Sequence, residues 1–323
     1  MNPSFENLSH AARSPRPMPK ARTAMTPDAF DDLVGPPSPT AATSSAGIVP
    51  FPTTGDFIGH YGLHENPFAD CVSPTYFFRT ASHAEAFRNM VLAVDFKASL
   101  GMVTGPSGTG KTLVTQLLLQ HFEEARHRAV LVLVTPGLSK TGLLREILSE
   151  LNLALPVGVN RVQDLVKLLG NHIIELHQQG QRLVILIDET HLLSADCLHV
   201  VRTLSNIETP REKLVTCLLF GETRHAQRLT HPSFESLQNR IYLRSTLAPL
   251  TAAEAEQYLK FRLMTAGRLT DSFTVEALAA IHQHAGGICR SMNKLAMLSM
   301  IEGADRRSPL IDEAIVTTAA RRM

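Results

Sequence analysis

The chain has 323 residues, 44% of them hydrophobic, which is enough apolar material for one large core or two unequal ones and excludes a small loop-rich scaffold. Its 31 basic and 30 acidic side chains leave a formal net charge of +1, which excludes a global field drawing it onto nucleic acid or an anionic membrane and leaves only local basic patches. The cysteines, Cys71, Cys197, Cys217 and Cys289, lack metal-ligand spacing, and there is neither a spanning apolar run of ~20 residues nor a signal peptide; free thiols and a cytoplasmic location are expected.

From Met1 to about Gly55 the sequence is rich in Pro, Ser, Thr and Ala and poor in core-forming residues, so a disordered tail is predicted over 1–55. Within it, Ala29-Phe30-Asp31-Asp32-Leu33-Val34 reads either as a partner-docking motif or as part of an unstructured leader. The group Tyr76-Phe77-Phe78 reads equally as an adenine-packing cluster or as plain core. Ser82 with Glu85 predicts a capping box opening a helix to about Lys97. Strands are then predicted at Leu100 to Thr104, Ala129 to Val134, Leu183 to Ile187, Leu214 to Phe220 and Ile241 to Arg244. Between them fall helices at Lys111 to Ala125, Leu143 to Leu151, Val162 to His177 and Ala195 to Ile207. This alternation predicts an α/β unit over 56–249, with a parallel sheet flanked by helices. Beyond Pro249 only helices are predicted, at Ala252 to Ala266, Val275 to His284, Arg290 to Glu302 and Ile311 to Arg321, forming a small helical lid domain over 250–323.

Gly105-Pro106-Ser107-Gly108-Thr109-Gly110-Lys111-Thr112 satisfies G-x-x-x-x-G-K-S/T between a predicted strand and a predicted helix. The glycines permit a tight loop of inward-pointing N–H groups at a helix N-terminus, Lys111 supplies a point charge to the β- and γ-phosphates, and Thr112 offers a hydroxyl to Mg²⁺. Such a motif arises by chance in about one chain of this length in a hundred. Downstream, Leu183-Val184-Ile185-Leu186-Ile187 ends in Asp188-Glu189, placing Asp188 to hold the Mg²⁺ shell and Glu189 to act as general base toward water. ATP and Mg²⁺ are therefore the expected ligands, and the paired acids favour an ATPase over a GTPase or kinase.

The chain also resembles the ExeA/GspA-like (general secretion pathway protein A) group of AAA+ ATPases, related to TniB/TnsC-type transposition helpers. The resemblance rests on Tyr61-Gly62-Leu63 with Pro67-Phe68, Ser82-His83-Ala84-Glu85-Ala86, Arg202-Thr203-Leu204-Ser205-Asn206-Ile207-Glu208-Thr209, Arg240-Ile241, Pro249-Leu250 and Tyr258 to Leu263 with Ala266-Gly267. It spans about Tyr61 to Ala304 and implies a P-loop NTPase (AAA+) fold. It further implies Arg240 as a finger reaching a neighbour's γ-phosphate, hence a homo-oligomer, and Arg290, with Asn293, as the lid's sensor. Departures occur at Thr190-His191, where the family has Ala-Gln, at Glu222, where an acid puts the first sensor in doubt, and at Asn239. The family's role is to drive conformational change or assembly of a partner complex at membrane or envelope machinery. Its secretion members carry a membrane segment and a cell-wall-binding region after the ATPase domain, and the end at Met323 predicts action there through a partner. The alternative is a switch bound to duplex DNA, for which Arg306-Arg307 and Arg321-Arg322 are the candidate basic pairs. A third reading is a nucleotide-binding scaffold with little turnover.

Overall fold

Five short apolar runs, Leu100–Thr104 (β1), His127–Leu133 (β2), Arg182–Asp188 (β3), Val215–Gly221 (β4) and Ile241–Thr246 (β5), pair in parallel in the order β2-β3-β4-β1-β5. The computed structural model describes residues 56–71, 73–122, 126–156 and 158–323. The tail read over 1–55 and its Phe30/Leu33 motif lie outside the described residues. Every residue of β1 and β4 is buried, the condition under which a parallel sheet forms, because helices must cover both faces. The two-residue period of β3 divides its side chains between the faces. Leu183, Ile185 and Ile187 join one core cluster, while Val184 and Leu186 join the other.

The first face is covered by Lys140–Glu150 (α4), Val162–Gln178 (α5) and Ala195–Leu204 (α6), the second by Ala81–Asp95 (α2) and Lys111–His121 (α3). In α5 the buried residues Leu165, Leu169, Ile173 and Leu176 recur at helical spacing and form one apolar stripe. A third cluster gathers Ala252–Thr265 (α9), Val275–Ala285 (α10), Cys289–Asp305 (α11) and Glu313–Ala320 (α12). The first described helix, Asp56–Tyr61 (α1), also packs there, through Phe57 and Tyr61, as do Leu63 and Phe68. The Tyr61 hydroxyl donates to the Ser308 carbonyl at 3.2 Å.

The cap of α2 corrects the sequence reading. Thr80, in extended backbone, accepts the His83 N–H on its hydroxyl, while Ser82 already lies inside the helix. The reciprocal box occurs instead at α9. There Thr251 accepts the Glu254 N–H, and its own N–H donates to the Glu254 carboxylate at 2.9 Å. Helix α3 ends at His121, and residues 123–125 of its predicted extension lie outside the described residues. Short helices at Thr223–Leu229 (α7) and Glu235–Gln238 (α8), together with α1, escaped the sequence reading.

Candidate functional site

The loop between β1 and α3 turns at the C-terminal edge of the sheet. Gly108 and Gly110 adopt φ of 80° and 96°, a region that glycine enters without steric cost, and Gly110 is the residue from which α3 starts. Lys111 is buried, and its ammonium donates to the carbonyls of Gly105 at 3.0 Å and Pro106 at 2.9 Å. Thr109 braces the loop by donating its hydroxyl to the Pro106 carbonyl at 2.9 Å. Burial lowers the Lys111 pKa, opposed by the nearby Glu189, Asp188 and Glu222 carboxylates and assisted by Arg290. Ser107 completes the loop and lines the cleft above it.

Strand β3 delivers the two acids to the same place. Asp188 is buried; its Oδ2 accepts the Thr112 hydroxyl at 2.8 Å and its Oδ1 accepts the Glu189 N–H at 2.8 Å. Glu189 itself lies in the left-handed region, at φ 55° and ψ 36°, a conformation that costs a side-chain-bearing residue on the order of 1 kcal/mol. The bond that its N–H donates to Asp188 and a second from the Leu192 N–H to the Glu189 carbonyl, at 2.9 Å, hold it there. Lys111, Thr112, Asp188 and Glu189 thus converge from two elements. Among the described residues, no cluster of three or more His, Cys, Asp or Glu side chains forms a separate metal site.

The helical cluster supplies the opposite wall. Arg290, in the first turn of α11, donates its backbone N–H to the Gly108 carbonyl at 3.2 Å, and its guanidinium lies 3.5 Å from Asp70. Tyr258, Arg262, Cys289 and Asn293 line the same cleft, which holds ≈ 940 Å³ including space open to solvent. Tyr76, Phe77 and Phe78 also line it and are packed at the same time. The Arg262 guanidinium lies 4.7 Å above the Tyr76 ring, Phe78 abuts Tyr258 and Phe261, and Phe77 meets His83 edge-on. Arg240 lies between α8 and β5, half-buried with an unpartnered Nε, and does not line the cleft. The candidate DNA-binding arginines are partly committed elsewhere, since Arg306 and Arg322 both pair with Glu302 at 2.8 Å.

Two residues given no role in the sequence reading are built into the site. Buried His83 spans from the Thr80 hydroxyl, 2.6 Å from Nδ1, to the Thr109 carbonyl, 2.9 Å from Nε2. A carbonyl only accepts, so Nε2 carries the proton. Because C=O and N–H point oppositely across a trans peptide, fixing the Thr109 oxygen toward α2 turns the Gly110 N–H the other way. Buried Arg262 donates to the Pro67 carbonyl and to the Tyr258 hydroxyl at 2.9 Å, joining the segment before α2 to the helical cluster. The only sequence signal for either lay in the resemblance, where His83 and Arg262 fall within the matching stretches.

A family profile described as an AAA domain matches residues 94–229. General secretion pathway protein A of Aeromonas hydrophila is 31% identical over 262 residues, which cover 80% of this chain and 47% of that protein, so the chain spans about half the length of this curated relative. Among solved structures, the Aeropyrum pernix ORC2 protein, in ADPNP-ADP complexes, is similar with a TM-score of 0.61 at 15% identity, over 80% of this chain and 71% of that one. Cdc6p from Pyrobaculum aerophilum gives 0.61 at 16% identity over 79% and 70%. Drosophila ORC bound to DNA gives 0.58 at 15% over 91% and 73%. At such identities the structures share the fold alone. Taken with the sheet order, the phosphate loop and the paired acids, the sequence matches place this chain in the AAA+ P-loop ATPases, as a relative of general secretion pathway protein A.

Proposed function

We propose that this protein binds ATP with Mg²⁺ in the cleft between sheet and lid and hydrolyses it to ADP and phosphate. The observation that carries the reading is the convergence of Lys111, Thr112, Asp188 and Glu189 at one edge of the sheet. The loop N–H groups and the start of α3 hold the phosphates, with Lys111 as their mobile point charge. Its bonds to the Gly105 and Pro106 carbonyls are exchanged for phosphate oxygens when nucleotide enters. Thr112 and Asp188 fit a hard cation, since they present a hydroxyl and a buried carboxylate in direct contact. Mg²⁺ held there would neutralise charge on the phosphate oxygens.

Glu189 lines the cleft and takes a proton from water as the water oxygen bonds to the γ-phosphorus and the bond to the β–γ bridging oxygen breaks. Arg290 offers charge from the lid. Arg240, which does not line its own cleft, is the finger for a neighbouring subunit's site, which requires a homo-oligomer. The tripartite reading of a tail over 1–55, a nucleotide-binding unit over 56–249 and a lid over 250–323 gives this engine a lever. The relationship to general secretion pathway protein A supports a protein load, a partner complex of membrane or envelope machinery that is moved or assembled. Among the described residues, no helix is long and apolar enough to cross a membrane.

The test is the ATPase rate against protein concentration, with and without duplex DNA at low salt, with Lys111→Ala as blank. A specific rate that rises with concentration and ignores DNA is expected. Stimulation by DNA would move the assignment to a DNA-bound switch, and a rate no higher than the blank would remove hydrolysis from it.

A further inference from the structure

The turn after Glu189 carries a histidine that the hydrolytic scheme does not use. His191 lies in the 3-10 turn Thr190–Leu192, and its side chain is only 5% exposed. Its Nδ1 is 3.2 Å from Glu189 Oε2, and its Nε2 is 3.8 Å from Glu222 Oε1. Glu222, at the start of α7, contacts Arg224 through its other oxygen at 2.9 Å, and Arg224 is 64% exposed. The row Glu189, His191, Glu222, Arg224 therefore runs from the phosphate cleft to the outside of α7, with a buried ring between the two acids. The turn is anchored independently of the row. The Thr190 hydroxyl donates to the Phe220 carbonyl at 2.8 Å, and Gly221 leaves room for it, since a Cβ there would lie 2.6 Å from the Thr190 oxygen.

We propose that His191 is a positioning residue for the Glu189 carboxylate and that, through Glu222, it ties the orientation of that acid to α7. The imidazole stands between the two carboxylates, with Nδ1 close to Glu189 but outside hydrogen-bonding geometry and Nε2 3.8 Å from Glu222, so a small rotation of either acid completes the contact and the ring limits the rotamers open to Glu189. The relationship makes the acid at position 222 part of the hydrolytic apparatus. It rests on the assignment of Glu189 as the general base.

Three variants and one double variant test it: His191→Ala, His191→Gln, Glu222→Gln and His191→Ala with Glu222→Gln. His191→Ala is expected to lower kcat about tenfold with KM for ATP and the melting temperature nearly unchanged, and His191→Gln, which retains an N–H donor, to recover part of the rate. The double variant is expected to be no slower than His191→Ala alone, because both changes cut the same row. Additive losses, or a fall in ATP affinity and stability in place of kcat, would overturn the proposal. A spectroscopic readout separates it from the assignment of hydrolysis. In histidine-labelled protein, the His191 ring nitrogens, assigned by their absence in His191→Gln, are expected to shift in both Glu189→Gln and Glu222→Gln. If they respond to neither change the proposal fails, whether or not the wild-type protein turns over ATP faster than the Lys111→Ala blank.

Discussion

Replacing His83 with alanine isolates the contribution of α2 to the phosphate loop. The substitution removes the bond from Nε2 to the Thr109 carbonyl, which is left without that partner in a buried region, while the Thr80 hydroxyl keeps the backbone N–H of position 83 and the Ser82 hydroxyl. A buried polar group deprived of its partner costs about 1–3 kcal/mol. If that cost falls on keeping the Thr109–Gly110 peptide turned toward the ligand, ADP affinity drops by about 5- to 150-fold. Titration calorimetry with ADP measures the affinity, and urea denaturation of the ligand-free protein measures the share lost from the fold. Thr80→Val is the control. It removes the Nδ1 partner and the cap of α2, costing stability of about 1 kcal/mol, but leaves the bond to the loop. ADP binding by His83→Ala within twofold of wild type would refute the argument, because the loop would then hold its shape without α2.

Gly221→Ala is expected to lower the unfolding free energy by about 1–3 kcal/mol, read from denaturation midpoints, because its Cβ would meet the Thr190 oxygen at 2.6 Å. Stability is also expected to fall as pH drops. Burial pushes the His225 pKa down to about 4 from 6.5, so between those values the unfolded chain binds the proton that the folded chain refuses. The loss accumulates to roughly 3 kcal/mol by pH 4, and His225→Leu should flatten the stability profile in that window. Arg240→Ala is expected to bind ADP normally while losing turnover by about 10³-fold, with part of the rate restored on mixing with Lys111→Ala subunits that still carry the finger. Turnover at the wild-type level in Arg240→Ala would remove the arginine from the mechanism.

The parts of this molecule that were legible in the sequence are those whose determinants are contiguous. Lys111 and Thr112 follow their glycines directly, and Asp188-Glu189 follows five apolar residues that are all buried, so motif and strand announce each other. What escaped depends on partners distant in the chain. His83 is defined by a carbonyl 26 residues away, and Tyr61 by one 247 residues away, and neither pairing leaves a periodic trace. The capping error at Ser82 has a local cause. Thr80, Ser82 and Glu85 all suit a helix start, and the choice among them was made by backbone geometry, with Thr80 extended and hydrogen-bonded to His83. Helices α7 and α8 are too short for hydrophobic periodicity to register.

On the proposed division into a nucleotide-binding unit and a lid, the segment between β5 and α9 carries nucleotide occupancy to the helical cluster. The Leu247 N–H donates to the Thr104 carbonyl at 2.7 Å, where β1 enters the phosphate loop, and three residues later the Leu250 N–H donates to the Gly287 carbonyl at 2.9 Å, where α11 is about to begin. On the other side of the cleft, the Arg290 N–H meets the Gly108 carbonyl. The helical cluster therefore meets the phosphate loop through one backbone bond, from Arg290 to Gly108, worth about 1 kcal/mol, beside the Ile288 and Arg290 side chains that crowd Gly108, and its apolar core is distinct from the two clusters that flank the sheet. A joint of that strength is comparable to what one phosphate contact from Arg290 adds. A ligand that makes such a contact in one lid position and not in another shifts the equilibrium by that difference, which is the requirement for a nucleotide-driven lever.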